Sequence, residues 1–366
     1  MFNCDIFCEV IDNYGDAGVC WRIARMLTNE KNADVRLFVS DLKTLSAIVP
    51  ECDPEKNVQT VQGIEICAWS EALNADPAPV ILETFACRLP QEFEKRAAER
   101  SPQSVWINID YLSAEQWVED WHLLPSPHPT LPINKYYFYP GFTDKTGGLI
   151  FEKDILDREA AFMPERNEYL KNLGADPAHP FSLFVFCYPG EWIDNFYEAL
   201  ASDKRPVQLL LAPGAAGNDL MKMLEEKPIE GVSAVRLPFF DQKDFEKILW
   251  CADALIIRGE DSFVRAQTVA RPFLWNIYPI KEGTEHIDKL CAFADIFGRS
   301  MPETAELWKR INVAWNTSDK GFVPLWSEWR DAVPAMQTSI REWRKQIIDR
   351  GSLIDHLCKF AKDKLK

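Results

Sequence analysis

The sequence predicts an α/β protein made of two Rossmann-like lobes that face each other across a central cleft. Three observations lead there. Short apolar runs alternate with segments of helical period, the pattern of a parallel sheet flanked by helices. The alternation fades over residues 155–179 and restarts near 180. At 366 residues and 47% hydrophobic content, the chain is long enough for two cores of ordinary size. Open α/β sheets bind ligands beyond the carboxyl ends of their strands, so paired lobes suit an enzyme that holds two substrates and excludes water.

In the first lobe, strands are expected near 4–11, 34–39, 63–67, 79–84, 104–109 and 136–139, with helices between them, such as 18–29 and 89–100. The stretch HLLPSPHPTLPINKYYFYPGF is dense in proline and aromatics, and reads as an irregular surface loop leading into an edge strand. Residues 155–179 read as a linker helix and loop. Five strands follow, FSLFVFCY, VQLLLAP, VSAVRLPFF, DALIIRG and PFLWNI, separated by the helices EWIDNFYEALAS, AAGNDLMKMLEE, DQKDFEKILWCA and SFVRAQTVA. The tail, 334–366, is helical and amphipathic. The domain limits are therefore set at 1–160 and 175–335, with a tail helix of about 340–366 packing back on the first lobe. Tandem repeats and low-complexity segments are not evident.

Charge narrows the function. Lys and Arg number 41 against 56 Asp and Glu, a net charge of −15. Nucleic-acid surfaces need clustered cations, so no nucleic-acid partner is expected. The ten cysteines lie mostly in apolar runs and include no CxxC pair, and they are expected as buried, reduced thiols. No basic, apolar leader opens the chain, and no apolar run reaches about 18 residues. A cytoplasmic protein with no membrane partner is the expectation. No D-x-D triplet is present and the five histidines are scattered, so no metal is expected.

The second lobe carries the most informative stretch, FFDQKDFEKILWCADALIIRGEDSFVRAQTVARPFLWNIYP, residues 239–279. DALIIRG reads as a buried strand ending at Gly259, and EDS as a turn with Ser262 capping the next helix. The unpaired N–H groups and positive end of that helix favour an anion. Gly259 lets the anion approach the backbone, and Arg258 adds a charge with bidentate geometry for phosphate. Glu260 and Asp261 have the wrong sign for that site. They serve either a sugar hydroxyl and turn N–H groups, or only the helix dipole. Phe239, Phe240 and Phe245 surround Gln242, and a base needs a ring to stack on and an amide to read its edge. Core packing explains Phe240 and Phe245 equally well. Phe186 and Tyr188 share one face near the end of the lobe's first strand, where a cleft contact and plain packing are both open.

In the first lobe, DNYGDAGV (residues 12–19) links the first strand to a helix. Asn13 stands where a dinucleotide fingerprint would place its first glycine. Two acids, Asp12 and Asp16, occupy the position where a pyrophosphate would lie, so the pattern argues for a cation or for a group that must lose a proton. A helix cap at Asp16 and a turn former at Asp12 are the plainer alternatives.

The segments DIFCEVIDNYGDAGVCWRIARML and IIRGEDSFVRAQTVARPFLWNIYP together resemble the EarP family, bacterial enzymes that rhamnosylate one arginine of translation elongation factor P. Both motifs are long, and the resemblance spans essentially the whole chain. It implies a GT-B glycosyltransferase fold, dTDP-rhamnose as donor and inverting transfer to a guanidinium. Elongation factor P is then the partner protein, dTDP-rhamnose a co-substrate, and no cofactor is implied. The functional acids fall on Asp12, Asp16 and Glu260. Nucleotide-sugar contacts fall on Phe186, Tyr188, Phe239, Gln242, Phe245, Arg258, Asp261 and Ser262, with Gly259, Tyr14 and Gly15 beside them. The first domain is then the acceptor side and the second the nucleotide-sugar side.

Under this resemblance Asp16 is assigned as base, Asp12 as its partner in holding the guanidinium, and Glu260 to sugar orientation or electrostatic support. Arg258 and the helix start would receive the departing diphosphate. Another nucleotide-sugar transferase with a different acceptor, or a nucleotide-sugar-binding protein without catalysis, would share the same donor-site residues. A dehydrogenase is disfavoured by the missing glycine fingerprint.

Overall fold

The computed structural model describes residues 3–11, 14–280 and 283–366. The chain divides into two compact units, Met1–Glu152 with Arg350–Lys366, and Lys153–Asp349. Each unit is built on a parallel sheet with helices on its faces, and unit 1 adds an antiparallel strand at either edge.

Unit 1 runs β1 (Asn3–Cys8), α1 (Tyr14–Lys31), β2 (Asp34–Val39), α2 (Leu42–Ile48), β3 (Val58–Val61), β4 (Ile64–Ala68), β5 (Val80–Thr84), α3 (Gln91–Glu99), β6 (Val105–Ile109), α4 (Trp117–Trp121), β7 (Pro125–Pro127) and β8 (Asn134–Phe138). The sheet order is β3-β4-β2-β1-β5-β6-β8-β7. Its six inner strands are parallel, with Ile6 of β1 opposite Leu37 of β2 and Leu82 of β5. Strands covered on both faces read as unbroken apolar runs, and VILET of β5 and VWINI of β6 are buried throughout. Phe7 stacks on Phe38 at 4.8 Å and meets Phe93 of α3 edge-on at 4.8 Å, which places the core between β1, β2 and α3.

Unit 2 runs α5 (Ile155–Phe162), α6 (Arg166–Asn172), β9 (Ser182–Val185), α7 (Trp192–Asp203), β10 (Val207–Leu211), α8 (Ala215–Glu226), β11 (Val232–Arg236), α9 (Phe245–Cys251), β12 (Ala254–Arg258), α10 (Asp261–Thr268), β13 (Phe273–Asn276), α11 (Glu285–Phe297), α12 (Ala305–Asn316) and α13 (Phe322–Arg350). Its sheet, β11-β10-β9-β12-β13, is wholly parallel. Aromatic stacking fills its core. Phe263 lies on Trp275 at 3.8 Å, and Trp192 on Trp315 at 4.6 Å. The last helix, α14 (Leu353–Lys364), belongs to unit 1.

Several boundaries differ from the sequence reading. The first strand stops at Cys8, and α1 begins at Tyr14 rather than 18, so Gly15, Asp16 and Gly18 are helical. Ala17, Gly18, Cys20 and Trp21 are buried, and that packing outweighs the roughly 1 kcal/mol that a glycine costs a helix. The proline-rich stretch supplies β7, antiparallel to β8, so β7 and not β8 is the edge strand. Pro125 and Pro127 sit there because an edge tolerates missing donors. The tail is two helices. α13 starts at Phe322 and runs through Pro334, held by buried Leu325, Trp326 and Trp329. It stops before Gly351 (φ +91°), and Ser352 with Asp355 forms a capping box for α14.

All ten cysteines are free thiols, and every one but the half-buried Cys291 is buried. No described helix is long and apolar enough to cross a membrane.

Candidate functional site

In each sheet the strand order reverses once, between β1 and β5 in unit 1 and between β9 and β12 in unit 2. Counting parallel strands alone, the orders are 3-2-1-4-5-6 and 3-2-1-4-5, the doubly wound pattern. Connections leave the two strands at a reversal in opposite directions and open a crevice at their carboxyl ends. Arg258, Phe186 and Tyr188 lie at the reversal of unit 2 and the start of α1, with Asp16, at that of unit 1, whereas Phe239 and Gln242 follow the edge strand β11.

In unit 2, Arg258 ends β12 while Phe186 and Tyr188 follow β9. The Arg258 guanidinium carbon lies 4.3 Å from the Phe186 ring centre and 4.8 Å from that of Tyr188. Its Nη1 donates weakly to the Cys187 carbonyl at 3.4 Å. Among the described residues no carboxylate pairs with it. Ring faces hold the group in place without neutralising its charge, which leaves it able to receive an anion. Gly259 follows in the left-handed region (φ +65°), where a Cβ would also stand 3.1 Å from the Tyr188 hydroxyl. Two indoles fix the surrounding backbone. Trp275 Nε1 donates to the Gly259 carbonyl and Trp192 Nε1 to the Tyr188 carbonyl, each at 2.8 Å.

The two acids of wrong sign each have a cation. Lys289 of α11 donates to Glu260 at 2.9 Å, and Arg265 donates to Asp261 at 2.7 Å. Their charges are thus compensated locally while that of Arg258 is not. Ser262 does not cap α10. It lies within the first turn and donates its hydroxyl to the Arg258 carbonyl four residues back, the bond a helical serine makes to satisfy itself. Phe245 opens α9 with its ring edge-on to Phe184 and Phe186, at 5.8 and 6.1 Å. Phe239 and Phe240 follow β11, which ends at Arg236. Phe239 is 58% exposed, and Gln242 is half-buried in the loop between.

In unit 1, Asp16 sits in the first turn of α1 and is 3% exposed. Its Oδ2 accepts the Ile11 N–H at 2.9 Å, tying the helix start to the end of the preceding chain. One turn on, Cys20 Sγ lies 3.2 Å from Thr84 Oγ1 at the end of β5, which sets this end of α1 against the reversal. Tyr14 and Gly15 are exposed in the same turn. Asp12 lies outside the described residues. Sequence reasoning missed Arg265, Glu246, Arg158 and Lys289. Only the Asp261–Arg265 pair, spaced i,i+4, left a local signal.

Unit 1 also has a groove of about 460 Å³ lined by residues of α3, the proline-rich segment, β6 and β8. None of the predicted residues lines it, and its inner charges are paired. Lys135 Nζ and Trp106 Nε1 each donate to Glu83 at 2.9 Å.

The sequence matches the family described as Elongation-Factor P (EF-P) rhamnosyltransferase EarP over residues 4–362. The chain belongs to the EarP family. The protein-arginine rhamnosyltransferase of Pseudomonas putida is 37% identical, covering 99% of each chain. That of Pseudomonas aeruginosa is 35% identical over 99% of this chain and 100% of its own. A solved structure of EarP, concerned with arginine glycosylation of translation elongation factor EF-P, aligns at TM-score 0.66 and 26% identity over 99% of both chains. A glycosyltransferase from Rickettsia africae aligns at TM-score 0.53 and 10% identity, covering 100% of this chain and 99% of that one, a likeness of fold alone. The fold is GT-B, and the EarP-family chain is a glycosyltransferase of the protein-arginine rhamnosyltransferase kind.

Proposed function

We propose that this chain moves rhamnose from dTDP-rhamnose to an arginine side chain of elongation factor P, inverting the anomeric centre and calling on no cofactor. The observation that carries the donor half is Arg258, a guanidinium held between ring faces with no carboxylate partner among the described residues, beside the start of α10. A diphosphate leaving group would meet that charge and the positive end of the helix together. Phe239, Gln242 and Phe245 would take the base, and Asp261, Ser262 and Gly259 would border the diphosphate. Tyr14 and Gly15 would add contacts to the nucleotide sugar.

The acceptor half is harder chemistry. A guanidinium has a pKa above 12 and a free aspartate one near 4, so full prior deprotonation would cost on the order of 12 kcal/mol. A carboxylate at Asp16, with Asp12 as partner, would instead bind and orient the guanidinium. The proton would pass to Asp16 as the C–N bond forms and the C–O bond to the diphosphate breaks, when the nitrogen has become acidic. Glu260 would support the sugar as positive charge develops at the anomeric carbon. Direct displacement inverts the centre and needs no covalent intermediate. Intact-mass analysis of elongation factor P after incubation with this protein and dTDP-rhamnose tests the proposal. One deoxyhexose increment, localised to an arginine by fragmentation, is expected. An unmodified acceptor would overturn it.

A further inference from the structure

We infer that buried Arg265 and half-buried Arg158 form a clamp that sets donor affinity by locking the base-side loop to the phosphate-side turn. This inference rests on the donor-site assignment above.

Arg265 of α10 is 1% exposed and reaches partners on two segments. Its Nε donates to Asp261 Oδ2 at 2.7 Å, in the turn after Arg258. Its Nη1 donates to the Gln242 carbonyl at 3.3 Å and pairs with Glu246 of α9. Glu246 is fully buried, and its other oxygen accepts from Arg158 Nη2 of α5 at 2.9 Å. The same Arg158 nitrogen donates to the Lys243 carbonyl at 2.8 Å. Two guanidinium groups, joined through one carboxylate, therefore grip consecutive carbonyls of the loop that carries Gln242 and leads into Phe245.

Stability alone is a poor reason for such a chain of charges. Apolar residues of similar volume replace buried ion pairs at little cost. Apolar residues cannot donate to the Gln242 and Lys243 carbonyls while also holding Asp261. Arg265 acts through these partners and is a positioning residue. A lysine there keeps a charge for Glu246 but has no planar fork to span the three acceptors.

Arg265→Lys is the test, with Arg158→Gln as a second variant at the more exposed end of the chain. Binding of thymidine diphosphate is measured by calorimetry well below each variant's melting temperature, and steady-state transfer is measured with each substrate varied. Arg265→Lys should weaken nucleotide binding and raise the donor KM about tenfold, the loss of one or two charge-assisted hydrogen bonds. The acceptor KM and kcat at saturating donor should stay within about twofold, and Arg158→Gln should shift the same parameter less. Folded variants that bind thymidine diphosphate as the unmodified chain does would overturn the clamp, as would an acceptor KM rising in step with the donor KM. Failure of the unmodified chain to bind thymidine diphosphate would instead overturn the donor-site assignment.

Discussion

Asp16 concentrates the residue-scale question, because a buried acid at a strand–helix junction serves either the backbone or a substrate. Its Oδ2 already accepts the Ile11 N–H, so one oxygen has a structural duty. Asparagine can keep that hydrogen bond through its own oxygen while it loses the charge and the basicity. Asp16→Asn should therefore stay folded, bind thymidine diphosphate within about twofold of the unmodified chain, and lose about 10²–10⁴ in kcat. Single-turnover mass spectrometry checks the rate, and undiminished turnover would remove Asp16 from the base role. The sequence drew attention to Asp16 because an acid at the first strand–helix junction is out of place beside a phosphate, but it left Asp16 in a loop where the structure has it in the first turn of α1. The meaning of Glu260 and Asp261 was only half legible. Arg265 lies one helical turn from Asp261, but Lys289 reaches Glu260 from 29 residues away, and no local period announces such a pair.

At the scale of elements, the strands of both sheets were readable because burial on two faces writes continuous apolar runs. Helix limits were not, wherever packing overrode propensity. α1 takes in two glycines, and α13 continues through Pro334, against the usual preferences of both residue types. The capping box that opens α14 was written in Gly351, Ser352 and Asp355, yet a single amphipathic period concealed the break. Elements also shape the response to acid. His122 ends α4, and its Nδ1 accepts the Tyr139 N–H at 3.1 Å, a bond that a protonated ring cannot accept. Burial, helped by the His356 charge of α14, lowers its pKa from 6.5 to about 4. Between those values the unfolded chain binds a proton that the folded chain refuses, so this contribution is fully present above pH 6.5 and is lost as pH falls toward 4. Burial raises Asp5 and Glu83, whose effect has the opposite sign, so only a difference between variants isolates the histidine. His122→Asn keeps an acceptor for Tyr139 without titrating in this range. Denaturant unfolding at pH 7, 6, 5 and 4.5 should show a shallower loss of stability for the variant, and parallel profiles would contradict the assignment.

For the whole molecule, the chain order matters as much as the two sheets, because unit 1 takes in residues 350–366, which follow all of unit 2 in the chain. α14 packs on it through buried Leu353, Ile354, Leu357, Cys358 and Ala361. Leu353 N–H donates to the Leu149 carbonyl at 2.8 Å, Lys31 pairs with Asp355, and Phe360 meets Tyr136 edge-on at 5.3 Å. The three large aliphatic side chains alone contribute about 5–9 kcal/mol by burial, an upper figure for a compact unfolded state. That is comparable with the 5–15 kcal/mol net stability of an ordinary domain. Removing residues 351–366 should therefore unfold unit 1 while leaving intact unit 2, which keeps its own sheet and its aromatic core. The residues proposed to take the base and diphosphate all lie in unit 2, so the truncated chain should still bind thymidine diphosphate within about tenfold. It should transfer no sugar, and protease should cut it within residues 3–152 long before 153–349. Calorimetry with limited proteolysis and fragment mass measurement checks both halves at once. A truncated chain that resists protease throughout and still modifies its acceptor would show that the tail adds little to unit 1, whatever area it covers.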